Sequence, residues 1–454
     1  MLTYELQKEP GLPLYESLYR CIRADILSGR LVPGEKLPSK RALSAHLEIS
    51  KITVEGAYSQ LLSEGYIRAE EKRGYFVEAV ERHIHPAEQW QAPPAAEEGI
   101  IDLTSNSPVH FPFSVWSRLQ RQVMLDMGER LLLGLHNQGV WELRQAIAHH
   151  LADFRGMRVS PDNILIGAGT DFLYNLLIQL LGREKCYVLE EPGYSKIRKV
   201  YAAAGARCVS GSMDDLGVQT ASLEGANVLH ISPSHHFPTG LVTPMARRLE
   251  ILQWAREGQD RWIIEDDYDS EFRFAAHPLP TLQSLDSGKV IYMNTFSKTL
   301  APSIRISYMV LPPMLMEQFQ KNLGYYSCTV SSFEQYTLAR FLETGHFEKH
   351  INRMRKFYKS RRNRILEILA RCPLADRLTI LEENAGLHFL VRVKDAASDE
   401  KLVQRLLDKG IRVRSLGSYY QDEVPAWAVG CLVVNYSGLS DEQINALEEK
   451  IQAL

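Results

Sequence analysis

The run Val290-Ile291-Tyr292-Met293-Asn294-Thr295-Phe296-Ser297-Lys298-Thr299-Leu300-Ala301-Pro302-Ser303-Ile304-Arg305 decides how the rest of the chain is read. Its first four residues are apolar and β-prone, the pattern of a short buried strand. Its second half sets a lysine among hydroxyls and closes on an arginine. An amine at the end of such a strand can be held as a Schiff base, while Thr295, Ser297 and Arg305 take a phosphate beside it. Alone, a Ser-x-Lys pattern is more often a surface lysine in a polar loop. The surroundings have to choose between the two.

Further short apolar runs flank this one: Ile164-Leu165-Ile166, Cys186-Tyr187-Val188-Leu189, Val228-Leu229-His230-Ile231, Trp262-Ile263-Ile264-Glu265 and Ser307-Tyr308-Met309-Val310. Stretches of helical character at 171–181, 194–204 and 245–256 separate several of them. The alternation predicts an α/β fold with a mostly parallel central sheet covered on both faces. Ligands then bind at the carboxyl ends of the strands.

Three more motifs fall at those ends. Gly167-Ala168-Gly169-Thr170 joins a strand to a helix, so its N–H groups and the Thr170 hydroxyl can hold a phosphate on the positive helix end. Glu190-Glu191-Pro192-Gly193-Tyr194 places an aromatic ring where it can cover a pyridine. In Glu265-Asp266-Asp267-Tyr268-Asp269, Asp266 can keep a pyridine nitrogen protonated and Tyr268 can bond the ring's O3′. Each motif has a plainer reading, namely a simple turn, a core tyrosine, or a divalent-cation site that no further carboxylate or histidine cluster supports. Together they point to pyridoxal 5′-phosphate (PLP) attached to Lys298, with Gly169, Thr170, Tyr194, Asp266, Tyr268, Thr295, Ser297 and Arg305 around it and no metal.

The bulk properties set limits. A chain of 454 residues exceeds what one core usually organises, so two or three domains are expected. Composition is ordinary, 45% hydrophobic and 24% charged with net charge −3, and carries no global signal for a polyanion. The start, Met1 to Lys8, lacks a basic region followed by an apolar core, and the most apolar stretch, Phe172 to Leu181, is too short to cross a bilayer. A cytosolic, membrane-free protein is expected. Cys21, Cys186, Cys208, Cys328, Cys372 and Cys431 form no Cys-x-x-Cys pair and read as buried thiols in a reducing compartment.

The chain changes character near residue 78. Residues 79–99 carry three prolines and no sustained period, which suits an extended linker between 1–78 and 100–454. The larger unit is expected to have a large part over about 100–325 and a small part over about 326–454. In 1–78, Tyr15, Leu18, Tyr19, Ile22, Ile26 and Leu27 recur at helical spacing and Gly29 ends that helix. Ser39 and Ser50 are N-caps of two further helices. Tyr66-Ile67-Arg68 and Tyr75-Phe76-Val77 then form a hairpin around the charged tip Glu70–Gly74. Three helices and a wing make a winged helix-turn-helix, the third helix being the one for the major groove. Eleven Lys/Arg balance eleven Asp/Glu here, so net charge does not select DNA over a small interaction module. The placement of Lys36, Lys40, Arg41 and Lys51 at helix starts, and of Arg68, Lys72 and Arg73 on the wing, favours phosphates.

The segments Ile26-Leu27-Ser28-Gly29-Arg30-Leu31-Val32-Pro33-Gly34-Glu35-Lys36-Leu37-Pro38-Ser39-Lys40-Arg41 and Leu61-Leu62-Ser63-Glu64-Gly65-Tyr66-Ile67 resemble the DNA-binding domain of GntR-type bacterial transcription regulators. The resemblance implies that Ser39, Lys40, Arg41, Lys51, Thr53, Tyr58, Arg73 and Gly74 meet an operator in double-stranded DNA. Such recognition helices often carry an arginine where this chain has Gly56, beside Glu55, which implies a lost contact. The four motifs downstream resemble fold type I aminotransferases. With Ser232-Pro233-Ser234-His235-His236-Phe237-Pro238-Thr239-Gly240, the whole chain resembles the MocR/GabR-like subfamily.

That resemblance implies a homodimeric transcription regulator that senses PLP, an amine or an amino-acid effector. The alternative it leaves open is an active aminotransferase with a DNA-binding appendage. Two departures count against efficient turnover. Phe237 stands where aminotransferases carry an asparagine to O3′, and Val433 stands at the position of the arginine that grips a substrate carboxylate. Either Arg392, Arg412 or Arg414 takes over that grip, or the effector is not an α- or ω-amino carboxylate.

Overall fold

The computed structural model describes residues 2–4, 6, 13–79, 99–104, 110–274, 279–383, 386–396 and 398–453. Nearly all of the expected linker lies outside them. The chain forms two compact units, Met1–Ala96 and Glu97–Leu454.

The small unit, the head, has three helices, α1 (Leu14–Ser28), α2 (Lys40–His46) and α3 (Lys51–Ser63), then strands β1 (Ile67–Glu70) and β2 (Gly74–Val77). Gly29 ends α1 in the left-handed region at φ 79°. The Ser39 and Ser50 hydroxyls accept the Ala42 and Thr53 N–H groups at 3.1 Å each, so both helix starts are capped. Leu18 and Ile22 of α1, Leu43 of α2, and Val54, Ala57 and Leu61 of α3 are fully buried in one core with Val77 of the wing. Burying each large aliphatic there contributes roughly 1.5–3 kcal/mol. The wing is an antiparallel pair in register Ile67↔Val77 to Glu70↔Gly74. Its tip needs positive φ at Lys72 (61°) and Gly74 (115°), a conformation glycine adopts without strain.

The large unit, the body, opens with β3 (Ile101–Asp102), α4 (Phe113–Met127) and α5 (Trp141–Arg155). Strand–helix alternation follows: β4 (Ile164–Gly167), α6 (Thr170–Leu181), β5 (Cys186–Glu191), α7 (Ser195–Ala203), β6 (Arg207–Asp214), β7 (Gly217–Val218), β8 (Val228–Ile231), α8 (Met245–Arg256), β9 (Trp262–Asp266), β10 (Val290–Thr295) and β11 (Ser307–Val310). These strands form one eight-stranded sheet in the order β4-β11-β10-β9-β8-β5-β6-β7. The pairs β6/β5, β5/β8, β8/β9 and β9/β10 are parallel, while β11 runs antiparallel to both β10 and β4.

The sheet is buried on both sides, and its strands alternate accordingly. Ile164, Ile166, Tyr292, Tyr308 and Val310 face one apolar cluster. Leu165, Ile291, Met293 and Met309 face another. A second, antiparallel sheet combines β12 (Leu378–Leu381), β13 (His388–Val393), β16 (Cys431–Asn435) and, at its edge, β15 (Arg414–Ser415). The short β14 (Ile411–Arg412) pairs with β3. All six cysteines are free, but Cys21, Cys186, Cys208 and Cys328 are only half-buried, which corrects the expectation of a fully buried set. Among the described residues no helix is long and apolar enough to cross a membrane.

Candidate cofactor cavity and nucleic-acid interface

A cavity of about 460 Å³ lies in the body, with walls formed by residues that follow β4, β5, β8, β9 and β10. Small-ligand sites commonly occupy roughly 300–1,000 Å³. Thr170, Tyr194, Asp266, Tyr268, Thr295, Ser297, Lys298 and Arg305 all line it. Gly169 stands just behind, at φ 87°, where a Cβ would come within 2.2 Å of the Arg305 guanidinium. The backbone there has to be glycine for the arginine to lie against it. Arg305 reaches the Ala168 carbonyl at 3.4 Å and Asp171 at 3.3 Å, which holds its guanidinium beside the amino end of α6. A helix start next to an arginine is an anion site by construction.

Lys298 sits on the short helix Phe296–Thr299 directly after β10. Burial pulls its ammonium below the ordinary lysine range, with Asp269 and Asp266 opposing the shift, so the uncharged, nucleophilic amine is favoured. Thr295 lines the cavity, but its Oγ1 accepts the Ser297 N–H at 3.1 Å and the Ser307 hydroxyl at 2.8 Å, so it caps the lysine-bearing helix. Ser297 Oγ, by contrast, is buried with no partner.

Consecutive carboxylates at the end of β9 diverge because strand side chains alternate. Glu265 accepts the Leu282 and Gln283 N–H groups at 3.0 and 2.9 Å. Asp267 pairs with Arg155 at 3.0 Å and accepts the Tyr292 hydroxyl at 2.7 Å, all fully buried. Taking two ions out of water costs several kcal/mol each, so this pair fixes geometry rather than adding net stability. Asp266 faces the cavity: its Oδ2 accepts the Tyr174 hydroxyl at 2.5 Å, while its buried Oδ1 has no partner. Burial and the Asp266 charge hold Tyr174 far above its ordinary range, so it remains a donor. His230 approaches Asp266 at 3.5 Å and is oriented by the Tyr201 hydroxyl at 2.9 Å. The three carboxylates therefore do not converge on a cation, and no metal-holding group of His, Cys, Asp and Glu occurs among the described residues.

Residues that sequence reasoning passed over complete the walls. Glu190, pushed up to about 8 by burial against the pull of the Ser232 N–H, faces the cavity with His236, pushed down to about 3 by burial. Tyr268 reaches His235 Nδ1 at 3.4 Å. Tyr194, 47% exposed, meets Phe237 edge-on at 5.8 Å. Of the three arginines named as substitutes at Val433, Arg414 lines this cavity, Arg392 lines a neighbouring one of about 630 Å³, and Arg412 lines neither. A buried amine lowered from the ordinary lysine range, an open carboxylate oxygen, an open hydroxyl and an arginine at a helix start suit a phosphorylated, nitrogen-containing carbonyl compound.

In the head, Arg41 and Lys51 stand exposed at the starts of α2 and α3 and form no ion pair among the described residues. Ser39 is committed to its cap and Thr53 Oγ1 meets Ser50 at 2.8 Å. Lys40 bridges to Glu55 at 2.7 Å, and Arg73 of the wing to Glu70 at 2.5 Å. Gly74 packs toward Lys36, whose Cε lies 3.2 Å from where a Cβ would stand. Two expectations are corrected. Tyr58 is fully buried and donates to the Pro38 carbonyl at 2.9 Å, so it braces the turn and presents no surface to DNA. A Cβ at Gly56 would sit 3.2 Å from the Tyr15 ring, so that position packs against α1 and is not a lost base contact. The exposed acidic side chain is its neighbour Glu55. Ile52, 80% exposed at the start of α3, was missed; it falls outside the buried stripe Val54–Ala57–Leu61.

Residues 14–77 match the family described as bacterial regulatory proteins, gntR family. Along nearly its full length the chain is 38% identical to the uncharacterized HTH-type transcriptional regulator YhdI of Bacillus subtilis, over 99% of this chain and 97% of that protein. It is 33% identical to the probable rhizopine catabolism regulatory protein MocR of Rhizobium meliloti, over 99% and 96%. The kynurenine aminotransferase structure from Pyrococcus horikoshii superimposes with a TM-score of 0.67 at 26% identity, covering 79% of this chain and 92% of that one. The chain thus belongs to the gntR family of bacterial regulatory proteins, in its MocR/GabR-like subfamily, and is a helix-turn-helix transcription regulator whose DNA-binding domain is joined to an aminotransferase-like fold.

Proposed function

We propose that the body, residues 100–454, holds PLP on Lys298, and that an amine effector or PLP itself acts there to alter how the heads of a homodimer engage operator DNA. The observation that carries this reading is the pair of buried, partnerless atoms Asp266 Oδ1 and Ser297 Oγ in the same cavity as a lysine whose charge burial disfavours. Buried polar atoms are nearly always paired, and PLP has the groups to pair both. Gly169, Thr170, Ser297 and Arg305 would hold its phosphate, Asp266 its ring nitrogen, Tyr268 its O3′, and Tyr194 one side of the ring. When bound, PLP supplies a carbonyl that takes up amines and a ring that withdraws electrons.

The chain's own residues set the terms. Burial lowers the Lys298 ammonium below the ordinary lysine range, which eases loss of its proton. The Asp266 oxygen left open by Tyr174 would hold a proton at the ring nitrogen of bound PLP, while the neighbouring Asp267 is engaged by Arg155. Phe237 and Val433 in place of the amide and arginine of aminotransferases favour sensing over turnover. In the head, residues 1–78, Arg41 and Lys51 at two helix starts and Arg73 and Gly74 on the wing would track phosphates, with α3 in the major groove. Two-fold symmetry would then require paired half-sites. A coupling of roughly 1–3 kcal/mol between cavity and head corresponds to about 5- to 150-fold in operator affinity.

The test uses the full-length protein. Incubation with PLP should give a visible absorbance band that borohydride fixes to the Lys298 peptide, and Lys298→Ala should lose the adduct altogether. Arg41→Ala should abolish the mobility shift of a fragment bearing the protein's own promoter while leaving that band unchanged. A colourless protein that takes up no PLP ends this reading. Sustained turnover of amino donor and keto acceptor would replace it with the aminotransferase alternative.

A further inference from the structure

We infer that Ile52 reads the 5-methyl group of a thymine in the operator and so sets the sequence preference at that base pair. This rests on the reading that α3 lies in the major groove.

The two sides of α3 differ in chemistry. Val54, Ala57, Tyr58 and Leu61 are fully buried against the rest of the head. At the helical repeat the opposite side belongs to Ile52, Glu55, Gly56 and Ser59. Arg41 and Lys51, exposed at two helix starts, stand at the edge of that face, where phosphates run. Its middle carries no cation: Ile52 is 80% exposed, Glu55 is bridged to Lys40 at 2.7 Å, Gly56 has no side chain and Ser59 is a small hydroxyl. A strip with one carboxylate and no ammonium or guanidinium offers phosphates nothing, so base edges are what it can meet.

An isolated exposed apolar side chain is ordinary on a protein surface. Position sets Ile52 apart. It stands in the first turn of α3, and recognition helices touch bases with their N-terminal residues. Leu62, the other exposed large apolar residue of this helix at 41%, lies in the last turn. Thr53, the next residue along, has its Oγ1 taken by Ser50 at 2.8 Å. A side chain one turn on from Ile52, at position 56, would lie over it, but a Cβ there would meet the Tyr15 ring at 3.2 Å. That packing keeps the neighbour bare and Ile52 uncovered. The branched side chain is stiff at χ1, so it presents fixed methyl groups and loses little freedom on contact. In the major groove the hydrogen-bonding edges would go unpaired against it, whereas the thymine methyl is the apolar group displayed there.

In the experiment, full-length protein first selects tight duplexes from a random-sequence library. Each thymine of a selected site is then replaced singly by deoxyuridine, which lacks only the methyl group. One thymine position should weaken wild-type binding by roughly 4- to 10-fold on replacement, the weight of about one buried methyl. Cytosine and 5-methylcytosine at that position differ by the same group and should differ by the same factor. Ile52→Ala should bind the thymine and deoxyuridine sites alike, with melting of the head unchanged because the side chain is exposed. Ile52→Val should keep most of the discrimination. A wild type indifferent to the methyl at every position, or an Ile52→Ala protein as sensitive as the wild type, overturns the inference. Guanine N7 protection is read on the same complexes. Its absence ends the major-groove placement and the role of Ile52 with it, and its presence beside either overturning result ends the role of Ile52 alone.

Discussion

The head and the cavity treat their polar groups in opposite ways. Among the described residues of the head, no buried side-chain nitrogen or oxygen lacks a partner. Around the cavity, Asp266 Oδ1, Ser297 Oγ, His230 Nε2 and His236 Nε2 are all buried without a hydrogen-bond partner, the two imidazoles lying 3.5 and 3.6 Å from Asp266 and Glu190. Some carboxyl groups divide along the same line. Hydrogen bonds from Lys40 and from Tyr19 hold Glu55 and Glu64 of the head below the usual carboxylate range. Burial lifts Glu190 to about 8, Glu265 to about 7 and Glu271 to about 8 in the body. A surface that meets DNA needs only solvated, exposed cations, because phosphates come to it. A pocket for a small molecule leaves buried groups for the ligand to complete.

The sharpest way to break this contrast is at the buried Arg155–Asp267 pair. Arg155→Ala leaves Asp267 buried and unpaired, which should destabilise the body by roughly 3–5 kcal/mol. Peptide-resolved hydrogen exchange should show faster exchange around β9 and α5, with head peptides unchanged. Next is Gly169→Ala. Its Cβ would collide with Arg305 at φ 87°, a strain of roughly 1–3 kcal/mol that should weaken PLP uptake about 5- to 150-fold at constant melting temperature of the head.

A third prediction concerns pH. Between its ordinary 4.5 and about 8, Glu190 in the folded body keeps a proton that the unfolded chain has released, so body stability falls as pH rises through that window. Glu190→Gln should flatten the fall. Glu55 and Glu64, with lowered values, act the other way: their contribution to the head is present above the ordinary carboxylate range and is lost on acidification. Melting followed from pH 3 to 8 by probes in each unit checks both signs, the head's below the ordinary carboxylate value of 4.5 and the body's above it. Equal slopes in the two units would erase the distinction. The smallest effect is Tyr58→Phe, which removes one hydroxyl from Pro38 and should cost the head about 1 kcal/mol with operator affinity of the folded protein unchanged. A large loss of affinity would return Tyr58 to the DNA surface.

Much of the scaffold was readable because its signals are local. The buried strands are continuous apolar runs, the N-caps are serines before helical stripes, and the lysine follows a strand whose every residue is buried. What stayed hidden depends on partners distant in sequence. Tyr174 looks like any core tyrosine on the apolar stripe of α6 until Asp266 appears beside it from β9. Glu190 and His230 sit at strand ends, where a polar residue also reads as a strand boundary. The antiparallel entry of β11 between β10 and β4 leaves no mark, because strands buried on both faces look alike in either direction. Tyr58 and Gly56 were misplaced for one reason: on a short recognition helix, core-facing and groove-facing positions differ by a single residue, and the Tyr15 ring that settles Gly56 lies on another helix.

The order of strands in the large sheet carries a consequence for how the molecule is made. β4, formed early in the body, has its hydrogen-bonding neighbour in β11, the last strand of that sheet to be translated, in register Ile164↔Val310. A chain emerging amino end first can therefore close the core of the head long before the body has both edges of its own seam. During that interval a DNA-binding head without a finished body is attached to the ribosome. Nascent-chain force or protease profiling should show one early event near the release of Val77 and a second only after Val310 has cleared the exit tunnel.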